Sequence, residues 1–174
     1  MKKVYFLKSF FVILISVSLV TFVQINGFWF KQESVASASK LAKINTIAPN
    51  FKGVDSNLVK HHLTDYTGKI VVLEWKNIGC PFVKKFYKSG NMQALQKDAI
   101  KNDIVWLSIV SSAKGKQGYQ NAEETRAQIA LENSHATAVL LDESGYIGRL
   151  YGAKTTPHMF VINKKGILVY QGAI

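Results

Sequence analysis

The chain alternates between short, continuous apolar runs and longer stretches with helical spacing. The short runs predict five strands, over residues 70–75, 104–110, 136–141, 158–162 and 166–170. The first run is nearly continuous in β-branched and aromatic residues, as in a strand that is buried on both faces of a parallel sheet. Residues 163–166, between the last two runs, read N-K-K-G, which predicts a hairpin.

The intervening stretches predict helices. Residues 82–87 and 92–100 carry two apolar stripes at helical spacing, and the phase shifts at Ser89-Gly90, where we expect a break. Residues 121–132 form a third predicted helix with Asn121 as its cap, and residues 146–151 a short helical turn. Strands that alternate with helices and end in a hairpin predict α/β layers around a mixed sheet.

Residues 1–38 have the features of a targeting segment. Three lysines in the first eight residues precede an uncharged apolar run over residues 9–23, and Ala36-Ser37-Ala38 offers a small-x-small cleavage site. This pattern predicts a secretory signal peptide. The alternative is an uncleaved N-terminal anchor, because residues 9–30 approach the ~20 residues that a membrane span needs. Either reading predicts that the domain, residues 39–174, is exported and is periplasmic or membrane-anchored on the extracytoplasmic side.

Composition limits the range of partners. The 174 residues are 48% hydrophobic and 19% charged, as expected for one globular domain plus a short extra segment. The formal charge is +11, but the lysines are scattered along the sequence and are not interleaved with aromatics. We therefore expect a solvated basic surface and no nucleic-acid partner. His61 and His62 are adjacent and point in different directions, so no metal site is expected there, and no cofactor is expected.

The one cysteine of the chain, Cys80, follows the first predicted strand and precedes a predicted helix. Pro81 suits the first helical position, which makes Cys80 the N-cap and directs the N–H groups of Phe82 and Val83 towards its sulfur. Lys84 lies one turn further on. Such surroundings lower the pKa of a cysteine below its usual value of roughly 8.5 and predict a reactive thiolate. The alternative is a small buried apolar side chain, the usual fate of a free cysteine.

Three motifs together carry a family resemblance: A-P-N-F at residues 48–51, C-P-F-V at residues 80–83, and T-P-H-M-F-V-I at residues 156–162. From about residue 45 to residue 174 the sequence resembles the thioredoxin-like superfamily. Within it, the sequence is most similar to the peroxiredoxin-like branch of the alkyl hydroperoxide reductase/thiol-specific antioxidant (redoxin) family. The resemblance implies a three-layer α/β sandwich in which helices flank a central mixed sheet. The chain stops after the hairpin, so we expect the C-terminal helix of that fold to be missing.

The resemblance also implies roles for individual residues. Cys80 matches the attacking cysteine, and Pro157 matches the cis-proline that packs against its sulfur. Thr156 would offer backbone groups to an extended partner chain. Glu74, six residues before Cys80, matches a buried acid that accepts the proton of the thiol. For Glu74 the alternative is a strand carboxylate that is paired with a lysine or faces solvent.

Departures from the family pattern shape the expected chemistry. Val83 stands where thioredoxins have their second cysteine, so an external thiol must resolve any disulfide or sulfenic acid at Cys80. Asn77 stands where peroxiredoxins have Thr or Ser, and no arginine lies near Thr156. Only Asn77, backbone amides and Lys84 remain to polarise a peroxide, so efficient peroxidase activity is not expected. Substrate contacts are expected at four residues: Asn77, Pro81, Phe82 and Lys84.

Two functions remain open at this point. The first is a thiol-dependent oxidoreductase or antioxidant that acts through Cys80. Its substrate would be a small peroxide or a disulfide, and its partner an external thiol reductant or a thiol/disulfide protein. The second is a non-catalytic binding module that presents the cleft between Cys80 and cis-Pro157 to peptides. Membrane attachment through residues 9–30 is compatible with both.

Overall fold

The computed structural model describes residues 41–174, which form seven strands, four α-helices and one 3-10 turn. The strands are β1 (Lys52–Asp55), β2 (Lys60–His62), β3 (Val71–Trp75), β4 (Val105–Val110), β5 (Ala138–Leu141), β6 (His158–Ile162) and β7 (Leu168–Gly172). The helices are α1 (Pro81–Lys88), α2 (Asn91–Lys101), α3 (Ala122–Leu131) and α4 (Tyr146–Tyr151), and the 3-10 turn is Leu63–Tyr66.

The predicted signal peptide or anchor lies outside the described residues. Within residues 41–174, every helix is too short or too polar to cross a membrane.

The strands form one mixed sheet in the order β2-β1-β5-β4-β3-β6-β7. Strand β3 lies between β4, to which it is parallel, and β6, to which it is antiparallel. This confirms the predicted mixed sheet, and the first apolar run is an internal strand that is buried at four of its five residues. The β1–β2 hairpin at one edge was not predicted, because its strands are short and polar. The Asp55 carboxylate shapes its turn by accepting the N–H groups of Asn57 and Val59 at 2.8 and 2.9 Å.

One face of the sheet carries an aromatic core under α4. Trp75 and Phe160 lie on the paired strands β3 and β6, with ring centroids 4.9 Å apart, and Tyr151 of α4 packs on both at 5.6 and 5.5 Å. The Tyr151 hydroxyl donates to the Pro49 carbonyl at 2.8 Å, so the single polar atom of this side chain is satisfied. These contacts fix the segment before β1 and the α4 helix against the sheet.

The opposite face is covered by α1 and α2. Val83, Tyr87 and Met92 from the two helices pack against Trp106 of β4 and Met159 of β6. The predicted break between the helices is confirmed: α1 ends at Lys88, and Gly90 has a φ of 78°, a left-handed conformation that glycine adopts without steric cost. The predicted cap of α3 is confirmed as well, since the Asn121 side chain accepts the N–H of Glu124 at 2.9 Å. Helices on both faces give the expected three layers.

The aromatic core yields a stability prediction. Replacing the fully buried Phe160 with alanine removes the ring that touches both Trp75 and Tyr151, and it should lower the free energy of unfolding by about 3–5 kcal/mol. Val169→Ala is the control, because Val169 on the neighbouring strand β7 is exposed, and its effect should stay below about 1 kcal/mol. Urea unfolding of both variants measures the difference, and equal losses would contradict the assigned core.

Candidate thiol site

Cys80 lies where the central strand passes into the first helix. Strand β3 ends at Trp75, and a turn follows in which the Cys80 N–H donates to the Asn77 carbonyl at 3.0 Å. The Asn77 side chain closes the same turn, because its Oδ1 accepts the Gly79 N–H at 2.7 Å. Pro81 then begins α1, and Cys80 is the N-cap with extended backbone angles (φ −75°, ψ 125°). The predicted position of the cysteine is therefore confirmed.

The pairing of β3 with β6 brings the distant proline to this sulfur. Trp75 lies opposite His158 in the sheet register, and Pro157 directly precedes His158. The Thr156–Pro157 peptide bond is cis, as expected, and Pro157 is buried. The Cys80 thiol donates to the Thr156 carbonyl oxygen, with the sulfur 3.0 Å from it. Residues 76 positions apart in sequence thus meet in one site.

The sulfur is half-buried, and its pKa is lowered from that of an ordinary cysteine. Partial desolvation raises this pKa, but hydrogen bonds from the Thr156 side chain and from the backbone N–H groups of Val83 and Phe82 outweigh it. Lys84 does not contribute to the lowered pKa of Cys80. Hydrogen-bond donors, and not a cation, therefore favour the thiolate. The Thr156 carbonyl acts in the opposite sense, because it accepts a hydrogen bond only from the neutral thiol.

The loop between β4 and α3, residues 111–121, packs on the turn before Cys80. The Asn77 Nδ2 donates to the Gln117 carbonyl at 3.0 Å. A Cβ at Gly118 would lie 2.3 Å from Asn77 atoms, and Gly118 has a φ of 82°, so this close approach requires glycine. Gln117 and Gly118 were not predicted as site residues, although a glycine-containing loop at the carboxyl end of a parallel strand is a signal for them.

Both polar atoms of the Asn77 side chain are therefore engaged with the protein itself. The Oδ1 atom holds the turn, and the Nδ2 atom holds the 111–121 loop. This arrangement favours a positioning role for Asn77 over the substrate contact expected from the sequence.

Glu74 is fully buried on the face of the sheet that α1 and α2 cover, and it accepts five hydrogen bonds from neutral side chains. The Tyr87 hydroxyl donates to Oε1 at 2.9 Å and also reaches Oε2 at 3.2 Å. The other donors to Oε2 are Gln96 Nε2 at 3.3 Å, Trp106 Nε1 at 2.8 Å and Ser108 Oγ at 2.8 Å. The alternative of a solvent-facing or lysine-paired carboxylate is wrong, because neutral donors surround a carboxylate with no exposed surface.

A buried ion pair lies beside this network and was missed by the sequence analysis. The Lys76 ammonium contacts the Glu132 carboxylate at 2.5 Å and lies 4.3 Å from the centroid of the Tyr87 ring. The Lys76 side chain is buried and that of Glu132 is largely buried, so the charge of the ammonium is compensated mainly by the carboxylate and not by water. The pair fixes the end of α3 to the end of β3, near the thiol turn.

The remaining predicted residues lie on the surface of α1. Pro81 and Phe82 occupy its first two positions, and 66% of the Phe82 surface is exposed. Lys84 is exposed one turn after Cys80. The two arginines of the chain bind elsewhere, Arg126 to the Ser56 carbonyl and Arg149 to the Ser144 carbonyl.

A polar cavity of about 230 Å³ opens next to Thr156, between the ends of β3 and β4 and residues 153–156. A larger groove of about 790 Å³ lies at the other end of β3, around Gly68, Lys69 and Val71. The described residues contain no group of three or more side chains that is arranged to hold a metal ion.

Comparison with known families is decisive at this point, because the sequence model of the AhpC/TSA family matches residues 44–171. The chain belongs to the AhpC/TSA family. The redoxin resemblance stated from the motifs is therefore confirmed, and so is the thioredoxin-like fold. No curated protein matches the sequence.

Solved structures share the fold of this AhpC/TSA domain. An uncharacterized conserved protein from Geobacillus kaustophilus is 19% identical with a TM-score of 0.68, over 76% of this chain and 70% of that one. The exposed lipoprotein thioredoxin of Streptococcus pneumoniae is 25% identical with a TM-score of 0.57, over 72% and 89% of the two chains. The thioredoxin domain of a thiol-disulfide oxidoreductase from Bacteroides vulgatus is 17% identical with a TM-score of 0.57, over 74% and 87%.

The lowered pKa of Cys80 gives a testable pH dependence. Only the thiolate reacts with iodoacetamide, so the alkylation rate of the folded AhpC/TSA domain should reach half its maximum at a lower pH than that of an unstructured cysteine peptide. Thr156→Val should move this midpoint to higher pH, because one of the hydrogen bonds that lower the pKa is lost. Thr155→Val, at the exposed neighbouring position, is the matched control. An unshifted midpoint in Thr156→Val would contradict the assigned cause.

The Glu74 network gives a second prediction. Glu74→Leu leaves the buried donors of Tyr87, Trp106 and Ser108 without their acceptor and should lower the free energy of unfolding by about 3 kcal/mol or more. Glu74→Gln keeps the volume and one acceptor oxygen, so its cost should be less than half as large. Urea unfolding measures both losses. Cys80 alkylation of Glu74→Gln tests the role as proton acceptor: a displaced pH midpoint in a folded variant supports that role, and an unchanged midpoint leaves Glu74 as a structural residue.

Proposed function

We propose that this AhpC/TSA domain is a single-cysteine thiol oxidoreductase in which Cys80 exchanges disulfides and an external thiol regenerates it. The observation that carries this proposal is the half-buried Cys80 sulfur, with a lowered pKa, at 3.0 Å from the carbonyl oxygen of Thr156 next to cis-Pro157. A thiolate in this position is both accessible and nucleophilic. An extended partner chain laid along Thr156 would bring its own sulfur to Cys80.

The exchange runs in two balanced steps. The Cys80 thiolate attacks one sulfur of a substrate disulfide, the new S–S bond forms, and the other substrate sulfur leaves with the electron pair and takes up a proton. An external thiolate then attacks the substrate sulfur of the mixed disulfide, and Cys80 leaves as a thiolate. The second step needs the external thiol because Val83, buried on α1, replaces the second cysteine of a thioredoxin.

Disulfide substrates fit this site better than peroxides. Cleavage of an O–O bond needs donors that stabilise the leaving oxygen, and the two arginines of the chain donate instead to the carbonyls of Ser56 and Ser144. The polar atoms of Asn77 are committed to the turn and to the 111–121 loop. The Thr156 side chain and the backbone N–H groups at the start of α1 are the remaining donors near the sulfur, and these already bind the thiolate itself.

The sequence of residues 1–38 supports a proposal for the cellular compartment of the domain. Their signal-peptide or anchor pattern supports an extracytoplasmic location for residues 39–174, with the external reductant in the same compartment. Such compartments permit disulfides, so a thiol oxidoreductase there has substrates.

Turnover of a neutral disulfide tests the proposal. The full chain is incubated with hydroxyethyl disulfide and reduced glutathione, and oxidised glutathione is followed through NADPH consumption by glutathione reductase. The catalysed rate should rise in proportion to the protein concentration, and Cys80→Ser should lose it. Mass spectrometry of the protein without glutathione should show a mixed disulfide at Cys80.

Two outcomes would overturn this assignment. A rate no greater than that of a free cysteine peptide, together with peptide binding that survives in Cys80→Ser, would favour the alternative, a non-catalytic binding module. Oxidation of Cys80 by hydrogen peroxide at a rate orders of magnitude above that of a free thiolate would instead favour a peroxidase.

A further inference from the structure

Three chain segments surround the Cys80 sulfur, and we name them together the thiol face. Residues 76–88 contain Cys80 itself, and residues 152–158 contain Thr156, whose carbonyl contacts the thiol. Residues 111–121 contact the turn before Cys80 through Gln117. The thiol face is therefore assembled from the carboxyl ends of β3 and β4 and the segment that leads into β6.

The thiol face has charge of one sign only. It contains no aspartate or glutamate and seven lysines: Lys76, Lys84, Lys85, Lys88, Lys114, Lys116 and Lys154. Lys76 is buried and paired with Glu132, and the other six are exposed. The fold thus brings together three segments whose exposed charges are all positive.

The rest of the described domain is balanced. Residues 41–174 contain 17 basic and 10 acidic side chains, so ten of each remain outside the thiol face. The excess positive charge of the domain is thus concentrated where the proposed chemistry takes place. Because the basic groups are not spread evenly, solubility alone does not account for their arrangement.

We propose that the thiol face docks acidic polypeptide segments that carry the disulfide to be exchanged, an inference that rests on the proposed function of Cys80. Six exposed ammonium groups attract carboxylates and steer their approach. The exposed Phe82 ring at the start of α1 adds apolar contact next to the sulfur. A polypeptide is favoured over a nucleic acid because only a polypeptide brings a sulfur within reach of Cys80.

The steering by lysines is separable from the reactivity of the thiol. The pKa of Cys80 is shifted by burial of its sulfur and by hydrogen bonds from the Thr156 side chain and the N–H groups of Val83 and Phe82. No lysine contributes to the shift. Exposed charges act over about 10 Å at 0.1 M salt and are screened to about 3 Å at 1 M. Added salt should therefore reduce the discrimination between charged substrates.

The experiment compares three peptides that differ only in the residues flanking one central cysteine: glutamate, serine or lysine. Each cysteine carries 2-thiopyridine in a mixed disulfide, and the absorbance of the released thiopyridone reports attack by Cys80 of the full chain. Each rate constant is divided by that of N-acetylcysteinamide with the same peptide. At low salt the glutamate peptide should react about tenfold or more faster than the lysine peptide, and the ratio should approach one near 1 M salt.

Charge reversal supplies the matched variants. The triple change Lys114→Glu, Lys116→Glu, Lys154→Glu should lower the glutamate-to-lysine rate ratio to one or below. The triple change Lys52→Glu, Lys97→Glu, Lys165→Glu alters the net charge equally at exposed lysines outside the thiol face and should keep most of the ratio.

The outcomes separate this inference from the proposed function. If no peptide reacts faster with the protein than with N-acetylcysteinamide, the proposed function fails. If all three peptides react equally fast with Cys80, only the preference for acidic partners is overturned. Binding of a single-stranded oligonucleotide or of anionic phospholipid vesicles to the thiol face, more tightly than the glutamate peptide at the same salt, would also overturn it.

Discussion

The register between β3 and β6 is the constraint on which the site depends. Antiparallel pairing sets Trp75 opposite His158, so the end of one strand and the start of the other meet at the same edge of the sheet. Cys80 follows β3 across a short turn, and Pro157 directly precedes β6. A slip of β6 by one residue against β3 would turn Phe160 from the aromatic core to the opposite face of the sheet, which α1 and α2 cover. It would also separate the Cys80 sulfur from Thr156. Core packing and site assembly therefore select the same register.

The two faces of β3 serve different purposes. Trp75 points into the aromatic core, while Glu74 points into a polar network that joins β3 to α1 through Tyr87, to α2 through Gln96, and to β4 through Ser108. A buried carboxylate that accepts five hydrogen bonds from four donors fixes the distances between these elements, because each bond is lost if an element shifts. We infer that Glu74 thereby holds α1, and with it the N-cap Cys80, in a fixed position on the sheet.

The sequence predicts those parts of the fold that have strong periodicity or a recognisable motif. The apolar run of β3, the cap at Asn121 and the helix break at Gly90 are all local signals, and all three are confirmed. The β1–β2 hairpin was missed because its two short strands lack an apolar pattern and depend on the Asp55 side chain for their turn. The hydrophobic pattern of these residues does not indicate the hydrogen bonds that the Asp55 side chain makes.

The residues of the candidate site were likewise predicted where a motif marks them and missed where only the fold brings them together. Cys80 and Pro157 are recognisable from motifs in which each residue has characteristic neighbours. The donors to Glu74 and the pairing of Lys76 with Glu132 join residues up to 56 positions apart, and no spacing rule predicts them. The role of Gly118 is not predictable from the sequence either. A side chain is excluded there only because Asn77, from another loop, packs against the Gly118 backbone.

The electrostatics of the site act at two ranges. At short range, hydrogen bonds from the Thr156 side chain and the first N–H groups of α1 favour the thiolate, while desolvation and the Thr156 carbonyl favour the thiol. Loss of the proton turns the contact with the Thr156 carbonyl from attractive to repulsive, so Thr156 favours the thiolate through its side chain and the thiol through its carbonyl. At longer range, the proposed docking assigns the exposed lysines the role of raising the local concentration of an acidic partner, and none of them is among the causes of the lowered pKa. Under this proposal the hydrogen-bond donors set the nucleophilicity of Cys80 and the exposed lysines set the choice of partner, so that each property can vary without the other.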